Sequence, residues 1–200
     1  MVAAVKTRSE GERMIDATDE RRIDAVQFEA MAEEAVDRFV PEADFGAMAV
    51  IFNMVRLSGR VVADLEKTVH RPAGLTWASW RVMFALWVAG DLEPRVLAHL
   101  SGVSRASISA TLNTLERDGH IVRSRSDSDR RVVTVSITDK ARATIAEVVV
   151  RQSAREKTWA SVLSADEQKS FVRALRKMLA FHVPPVGSTG QPHGTNEEPE

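Results

Sequence analysis

The feature of this sequence that most constrains its fold is a change of hydrophobic period between residues 94 and 137. Two stretches with helical spacing, starting at Glu93-Pro94 and at Ser104, are separated by the short turn at Ser101-Gly102 and followed by residues that alternate apolar and polar. The alternating residues form two short runs, 121–125 and 133–137, around Ser-Asp-Ser-Asp. This order predicts a helix, a tight turn, a second helix and a two-stranded hairpin.

The spacing within the two short helices predicts that they pack against each other at a steep angle. Close packing requires a small residue in the first helix, and Ala98 occupies that position. Gly102, four residues later, suits a turn that needs a positive φ, and Ile108 begins a buried stripe continued by Leu112 and Leu115. The spacing alone is only moderately specific, because helical pairs that never touch DNA can share it.

The outward face of the second helix then consists of small or polar side chains, which let a helix approach base edges in a major groove. The predicted base-reading positions are Arg105, Ala106, Ser107, Ser109, Ala110 and Asn113. Ser104, Ser107 and Thr111 carry hydroxyls that can donate to phosphates. The pattern therefore favours a DNA-binding helix-turn-helix.

The hairpin strengthens this interpretation because it concentrates arginine. Residues 94–131 hold seven arginines and four acids, a local charge of +3 on a chain whose net charge is −1. Four arginines, Arg123, Arg125, Arg130 and Arg131, flank the hairpin turn and could enter a narrow minor groove, where the potential is most negative. The alternative is a surface hairpin whose arginines pair with Asp127 and Asp129.

The remaining helical patterns surround this segment. Apolar spacing predicts helices over 24–40, 45–69 and 76–89, the last apolar nearly all round, and two more from Thr138 to about Trp159 and from Ser164 to about Phe181. The predicted fold class is mainly α with a small β-hairpin wing. The predicted divisions are a flexible N-terminus (1–20), N-terminal dimerisation helices (21–70), a winged helix-turn-helix domain (75–138), C-terminal dimerisation helices (139–183) and a disordered tail (184–200).

Composition excludes several functional classes. The chain has no cysteine and its five histidines are scattered, so a metal site and thiol chemistry are not expected. We find no catalytic or nucleotide-binding motif, and therefore predict no enzymatic activity and no cofactor. No uninterrupted apolar run approaches the roughly 20 residues that cross a bilayer, and the N-terminus lacks a signal-peptide core, so the expected location is cytoplasmic.

Residues 75–138 resemble the MarR family of bacterial transcriptional regulators. The resemblance is carried by VSRASISATLNTLERDGHIVR, by the wing sequence Asp129-Arg130-Arg131 and by Ile137-Thr138, and weaker similarity extends over residues 45–182. The family pattern has a glycine where this chain has Ala141. The resemblance implies a homodimer that places one recognition helix per subunit in the major groove, with Arg130 and Arg131 as wing contacts.

The resemblance also implies a small-ligand pocket between the dimerisation helices and the DNA-binding lobe. The candidate walls are Met54, Trp77, Trp80, Met83 and Trp87, and the candidate anion partners are Arg56, Arg60, His70 and Arg81. Plain core packing is at least as good an interpretation of the Trp and Met residues. The extra N-terminal helix resembles the urate-responsive branch, but that branch has Asp after its tryptophan, whereas Arg81 follows Trp80, which favours an anionic ligand facing Arg81.

The expected partners are therefore double-stranded DNA with a near-palindromic operator, a second copy of the chain and a small aromatic or phenolic anion. Two recognition helices about 34–36 Å apart read one DNA turn, which explains why a dimer is expected. A ligand-independent regulator or architectural DNA-binding protein is the main alternative, and a protein–protein adaptor that reuses the winged fold is a further one.

Overall fold

The structure is a computed structural model that describes residues 24–125 and 133–183. The predicted flexible N-terminus, the hairpin turn with Arg130 and Arg131, and the predicted disordered tail lie outside the described residues, as does the side chain of Arg125. The described elements are α1 (Ala25–Phe39), α2 (Phe45–Leu65), α3 (Trp77–Ala89), α4 (Pro94–Ser101), α5 (Arg105–Arg117), β1 (Ile121–Arg125), β2 (Val133–Ile137), α6 (Asp139–Ala160) and α7 (Ala165–Ala180). The predicted fold class is confirmed.

Contacts within the chain divide it into two compact units, one up to Gly59 and one from Arg60 onward. In the first unit, α1 begins at a capping box. The Asp24 carboxylate accepts a hydrogen bond from the backbone N–H of Gln27, and the Gln27 side-chain oxygen accepts one from the backbone N–H of Asp24. The rings of Phe28 and Phe52 stack with centroids 5.8 Å apart. No described residue of this unit is fully buried, so its apolar side chains remain largely exposed.

Among the described residues, one helical run, Phe45 to Ala73, is long and apolar enough to cross a bilayer by length and composition alone. It is 29 residues long with a mean hydropathy of 1.3 in its most apolar window. This segment is compatible with the expectation from the sequence, because Arg56 and Arg60 interrupt it and no uninterrupted apolar run reaches a spanning length. An apolar helix that is covered by other protein has the same length and composition.

The end of α2 differs in detail from the predicted helix to residue 69. The α-helix ends at Leu65 and continues as a π-helical turn (Glu66–His70) and a 3-10 turn (Arg71–Ala73). The wider turn lets the adjacent Val69 and His70 both face the core, where they are 3% and 0% exposed. Such widened turns frequently occur at functional sites.

The second unit holds the hydrophobic core, built by α3 to α6 and the hairpin. Thr76, Ser104 and Thr138 each cap a helix by accepting a backbone N–H three residues later. The strands pair antiparallel in the register Ile121↔Ile137 to Arg125↔Val133. The largest fully buried apolar side chains of this core are Val82, Met83, Leu86, Leu97, Leu112, Leu115, Ile121, Val135, Ile145 and Val148.

Candidate nucleic-acid interface and ligand cavity

The second helix of the pair, α5, buries one face and exposes the other. Ile108, Leu112 and Leu115 are 6%, 2% and 1% exposed, so they anchor the helix to the core. The six predicted base-reading positions are all exposed, and Thr111 is half-buried with its hydroxyl donating to the Ser107 carbonyl. The exposed face is made of Arg105, Ala106, Ser107, Ser109, Ala110 and Asn113.

The turn between α4 and α5 has the geometry that its sequence predicts. Ala98 is 5% exposed where α4 packs, and Gly102 adopts φ +62°, ψ +20° in the left-handed region that favours glycine. The next helix begins two residues later, where the Ser104 hydroxyl accepts the Ser107 N–H at 3.1 Å. This cap fixes the start of α5.

The hairpin is tied to the C-terminal end of α5 and to the start of α6. Leu92 forms an antiparallel β-bridge with Val135 through two backbone hydrogen bonds of 3.1 and 2.9 Å. This bridge extends the two-stranded sheet by one residue beside β2. The Thr138 hydroxyl donates to the Gly119 carbonyl, and the Lys140 ammonium donates to that of Asp118. These contacts hold the base of the wing, and they were not predicted because they join residues 19 to 43 positions apart.

Arg123 links the hairpin to the exposed face of α5. Its Nη2 donates to Asn113 Oδ1 at 2.8 Å, and its Nε lies 3.6 Å from Glu116 Oε2. Both Arg123 and Asn113 were predicted DNA contacts, and the structure brings them together. The guanidinium is thereby oriented by the very helix that carries the candidate base-reading residues.

His120 lies at the junction between α5 and β1 and is 7% exposed. Burial and the nearby Lys140 ammonium lower the pKa of His120, while Asp118 opposes this effect. The pKa of Asp118 is itself lowered, mainly by the hydrogen bond from Arg117. The junction therefore holds a neutral imidazole near physiological pH.

A cavity of about 440 Å³ lies in the second unit between α3, the end of α4 and α6. This volume falls within the range of small-molecule sites, roughly 300–1,000 Å³. It contains three of the predicted ligand residues and several that the sequence did not single out. The lining residues are Trp77, Trp80, Arg81, Phe84, Ala85, Val88, Ala89, Leu100, Ser101 and Gln152.

Arg81 is the cationic group of this cavity. Its guanidinium carbon lies 5.8 Å from the Trp77 ring centroid, a cation–π distance. Within the described residues, its buried Nε has no hydrogen-bond partner. An arginine on an otherwise apolar helix is thus held by aromatic contact and retains hydrogen-bonding capacity.

His70 lies behind the cavity wall rather than in it. The imidazole is fully buried between Trp77 and Trp80, with ring centroids 5.3 and 5.4 Å away. Its Nε2 is 2.9 Å from Gln152 Oε1, and the Gln152 amide donates to Glu156. His70 therefore packs against Trp80 and Gln152, and its predicted role as an anion partner stays a prediction.

Two further predicted walls do not line this cavity. Met83 is 0% exposed and belongs to the core, and Trp87 is 44% exposed with its ring tilted 37° against that of Phe84, centroids 5.8 Å apart. The reason is that α3 is apolar on nearly every side, so periodicity could not separate its core face from its cavity face. The lining positions 77, 80, 81, 84, 85 and 88 form a single helical face.

Arg60, Arg56 and Met54 are also outside the cavity lining. Arg60 lies over the Trp159 ring at 5.8 Å, in the second unit. Arg56 and Met54 belong to the first unit, where Arg56 lies over the Phe52 ring at 5.1 Å. Their predicted role with the tryptophans of α3 stays a prediction.

A polar cluster missed by the sequence analysis joins the end of α2 to α6. Asp64 accepts two hydrogen bonds of 2.6 Å from Arg155 and one of 2.7 Å from the Trp159 indole. These bonds lower the pKa of Asp64 to about 2. The residues are about 90 positions apart, so no local motif could have revealed them.

Among the described residues, no cluster of His, Asp or Glu is suited to a metal ion.

The geometry of α4, α5 and the hairpin defines a winged helix-turn-helix transcriptional regulator. Residues 75–133 match the model of the MarR family. The chain is 33% identical over 139 residues to an HTH-type transcriptional regulator of Bacillus subtilis, YwaE, covering 70% of this chain and 81% of YwaE. The chain therefore belongs to the MarR family.

Two other relatives extend the comparison. The HTH-type transcriptional repressor YetL of Bacillus subtilis is 27% identical over 134 residues, which is 66% of this chain and 80% of YetL. A solved structure of BpsR from Bordetella bronchiseptica is 25% identical with a TM-score of 0.61, covering 66% of this chain and 98% of BpsR. The relatives are transcriptional regulators and not enzymes.

Proposed function

We propose that this chain is a homodimeric repressor that binds a near-palindromic operator and releases it when a small aromatic or phenolic anion binds. The observation that carries the DNA-binding part is the exposed face of α5, which is entirely small or polar while its other face is anchored in the core. A helix of this kind can approach base edges closely. The similarity of this chain to YetL, a repressor, supports repression as the direction of regulation.

The DNA contacts follow from the positions of the side chains. Asn113 and Ser107, on the exposed face of α5, read bases, and Ser104 contacts phosphates at the edge of the groove. Thr111 does so once its hydroxyl rotates away from the Ser107 carbonyl to which it donates. Arg123 supports Asn113 through their 2.8 Å hydrogen bond. By family resemblance, Arg125, Arg130 and Arg131 extend the contact into the minor groove.

A second copy of the chain covers the apolar side chains that a single chain leaves exposed. On α1 and α2 these line an open cavity of about 630 Å³ whose described lining is apolar except for Glu29. On α7 they include Phe171, Val172 and Leu179. Exposed apolar surface of this extent is typical of interfaces.

Charge favours pairing of these surfaces across the dimer. The α1 helix carries four acids and one arginine, whereas α7 carries four basic residues and two acids. Opposite net charges on two amphipathic helices steer and orient their association. A dimer built this way stays in the aqueous cytoplasm, because the apolar face of α2 is then buried by protein instead of lipid.

The ligand enters the cavity lined by Trp77, Trp80 and Arg81. Aromatic walls with a small number of polar anchors are characteristic of small-molecule sites, and Arg81 supplies a cation suited to a carboxylate or phenolate. BpsR, whose DNA binding is described as regulated by 6-hydroxynicotinic acid, supports this ligand class.

The experiment is fluorescence anisotropy of the purified full chain on a duplex from the upstream region of its own gene, against a scrambled duplex, over a salt series. A repressor of this kind binds the upstream duplex more tightly and loses affinity steeply with salt. Sedimentation of the protein–DNA complex gives the number of subunits bound. Equal, weak binding to both duplexes would instead indicate an architectural protein, and absence of salt-dependent binding would indicate an adaptor.

A further inference from the structure

Arg81 touches both the candidate ligand cavity and the turn of the helix-turn-helix. It lies on the cavity face of α3, one helical turn after Trp77. A methyl group at Gly102 would lie 3.2 Å from Arg81 Nη1, so the guanidinium packs directly against the backbone of this turn. Gly102 in turn lies two residues before Ser104, the cap of α5.

We propose that Arg81 couples the cavity to DNA binding: its guanidinium receives the anionic group of the ligand and in doing so moves away from Gly102, which shifts the turn and the start of α5. This inference rests on the ligand response proposed above. It assigns to one side chain both the recognition of the anion and the transmission of its binding.

The electrostatic state of Arg81 supports the first half of this proposal. Among the ion pairs of the described residues none involves Arg81, and its buried Nε lacks a hydrogen-bond partner there. A carboxylate can accept two parallel hydrogen bonds from a guanidinium, and such bonds are strong where water is excluded. An anion in the cavity would therefore satisfy a group that the chain leaves incompletely bonded.

The tight packing of the turn supports the second part of the proposal, the transmission of ligand binding to α5. Ser101 and Leu100, at the end of α4, line the same cavity, so the ligand and the turn share a wall. Gly102 has φ +62° and Ser101 is 6% exposed, so the backbone there has little freedom to adjust without moving α5. A ligand can change DNA affinity only by the ratio of its own affinities for the two arrangements of this turn.

The first experiment separates capture of the anion from its transmission. We compare wild type, Arg81→Gln and Arg81→Lys, using 6-hydroxynicotinate and its neutral amide as probes, tryptophan fluorescence for ligand binding and anisotropy for DNA binding. Arg71→Gln is the matched control, because Arg71 is a surface arginine of the same unit, paired with Glu66. Thermal melts establish that each variant is folded.

In wild type, 6-hydroxynicotinate should weaken DNA binding about 5- to 150-fold, and the neutral amide should have little effect. Arg81→Gln should lose both the fluorescence response and the release of DNA. Arg81→Lys should retain ligand binding through its charge but release DNA less, because its single ammonium lacks the second nitrogen that reaches Gly102. Arg71→Gln should behave as wild type.

The second experiment needs no ligand and tests the contact with the turn alone. DNA affinity is measured for Gly102→Ala, Arg81→Gln and the double variant. If the guanidinium presses on the turn, the two effects are non-additive by more than about twofold, since the added methyl meets Nη1 only when Arg81 is present.

The outcomes distinguish this inference from the proposed ligand response. Ligand binding with DNA release preserved in Arg81→Gln would overturn the role of Arg81 and leave the ligand response intact. Absence of both binding and release by 6-hydroxynicotinate in wild type would overturn the ligand response and the inference together. Strict additivity in the ligand-free cycle would overturn the coupling through Gly102 on its own.

Discussion

The N-cap of α5 offers a perturbation that separates folding from DNA binding. The Ser104 hydroxyl accepts the Ser107 N–H at 3.1 Å and is exposed at the end of the helix that we propose enters the major groove. Replacing an N-cap serine by alanine costs about 0.5–2 kcal/mol, because a helix-terminal N–H loses its partner. In a chain of this size, each kcal/mol lowers Tm by about 2–4 °C.

Aspartate at the same position preserves the cap and introduces a negative charge. Asp caps helices about as well as Ser and interacts favourably with the helix dipole, so Ser104→Asp should keep the wild-type Tm. Its carboxylate would face DNA phosphates, and we expect it to weaken operator binding more than Ser104→Ala does. Differential scanning calorimetry and anisotropy at low salt measure the two quantities.

Ser164→Ala is the matched control for this pair. Ser164 caps α7 in the same way, accepting the Glu167 N–H, but it is not part of the proposed DNA interface. It should lower Tm by a similar amount without changing operator affinity at temperatures where the protein is folded. If Ser104→Asp binds the operator as tightly as wild type at low salt, the start of α5 does not face DNA and the docking of this helix must be reconsidered.

Four further substitutions test other parts of the molecule. Arg130→Ala should weaken binding to every duplex and reduce the slope of log affinity against log salt by about 0.9 per lost phosphate contact, whereas Asn113→Ala should change the ranking of operator variants in a binding competition; an unchanged slope, or an unchanged ranking, would contradict the respective assignment. Leu112→Ala should destabilise the protein by about 2–5 kcal/mol in urea unfolding, because Leu112 is 2% exposed beneath α5 and a cavity would remain; a loss under 1 kcal/mol would mean that this site is loosely packed. The hydrogen bonds from Arg155 hold the pKa of Asp64 at about 2, below its value in the unfolded chain, so the stabilisation they give is fully present above about pH 4 and is lost as the pH falls toward 2; Asp64→Asn should show a smaller decline over this interval in fluorescence-monitored unfolding, and an identical pH profile would show that the cluster does not stabilise the fold.

Local chemistry explains which features could be predicted. A cap such as Thr138 or Ser164 and a left-handed glycine such as Gly102 depend on backbone groups only a few residues away. The sequence contains both partners of each interaction, so helix limits and the turn were predicted to within a few residues. The exposed face of α5 followed because its apolar residues recur with the helical period.

Contacts between distant segments decided the rest. The pairing of Arg123 with Asn113 and that of Asp64 with Arg155 depend on how helices pack, which no local pattern encodes. The helix α3 shows most directly what a local sequence pattern does not predict. Because it is apolar nearly all round, its sequence indicates burial but does not say which face meets the core and which lines a cavity.

The sequence by itself therefore determined the order of elements, the helix-turn-helix, the pairing of the hairpin strands and the family. Only the tertiary structure decided that Met83 belongs to the core, that His70 is sealed behind Trp80, and that Arg81 lies against Gly102. The physical reason is that hydrogen bonds within a turn are specified by neighbouring residues, whereas the surroundings of a buried side chain are set by every element packed around it.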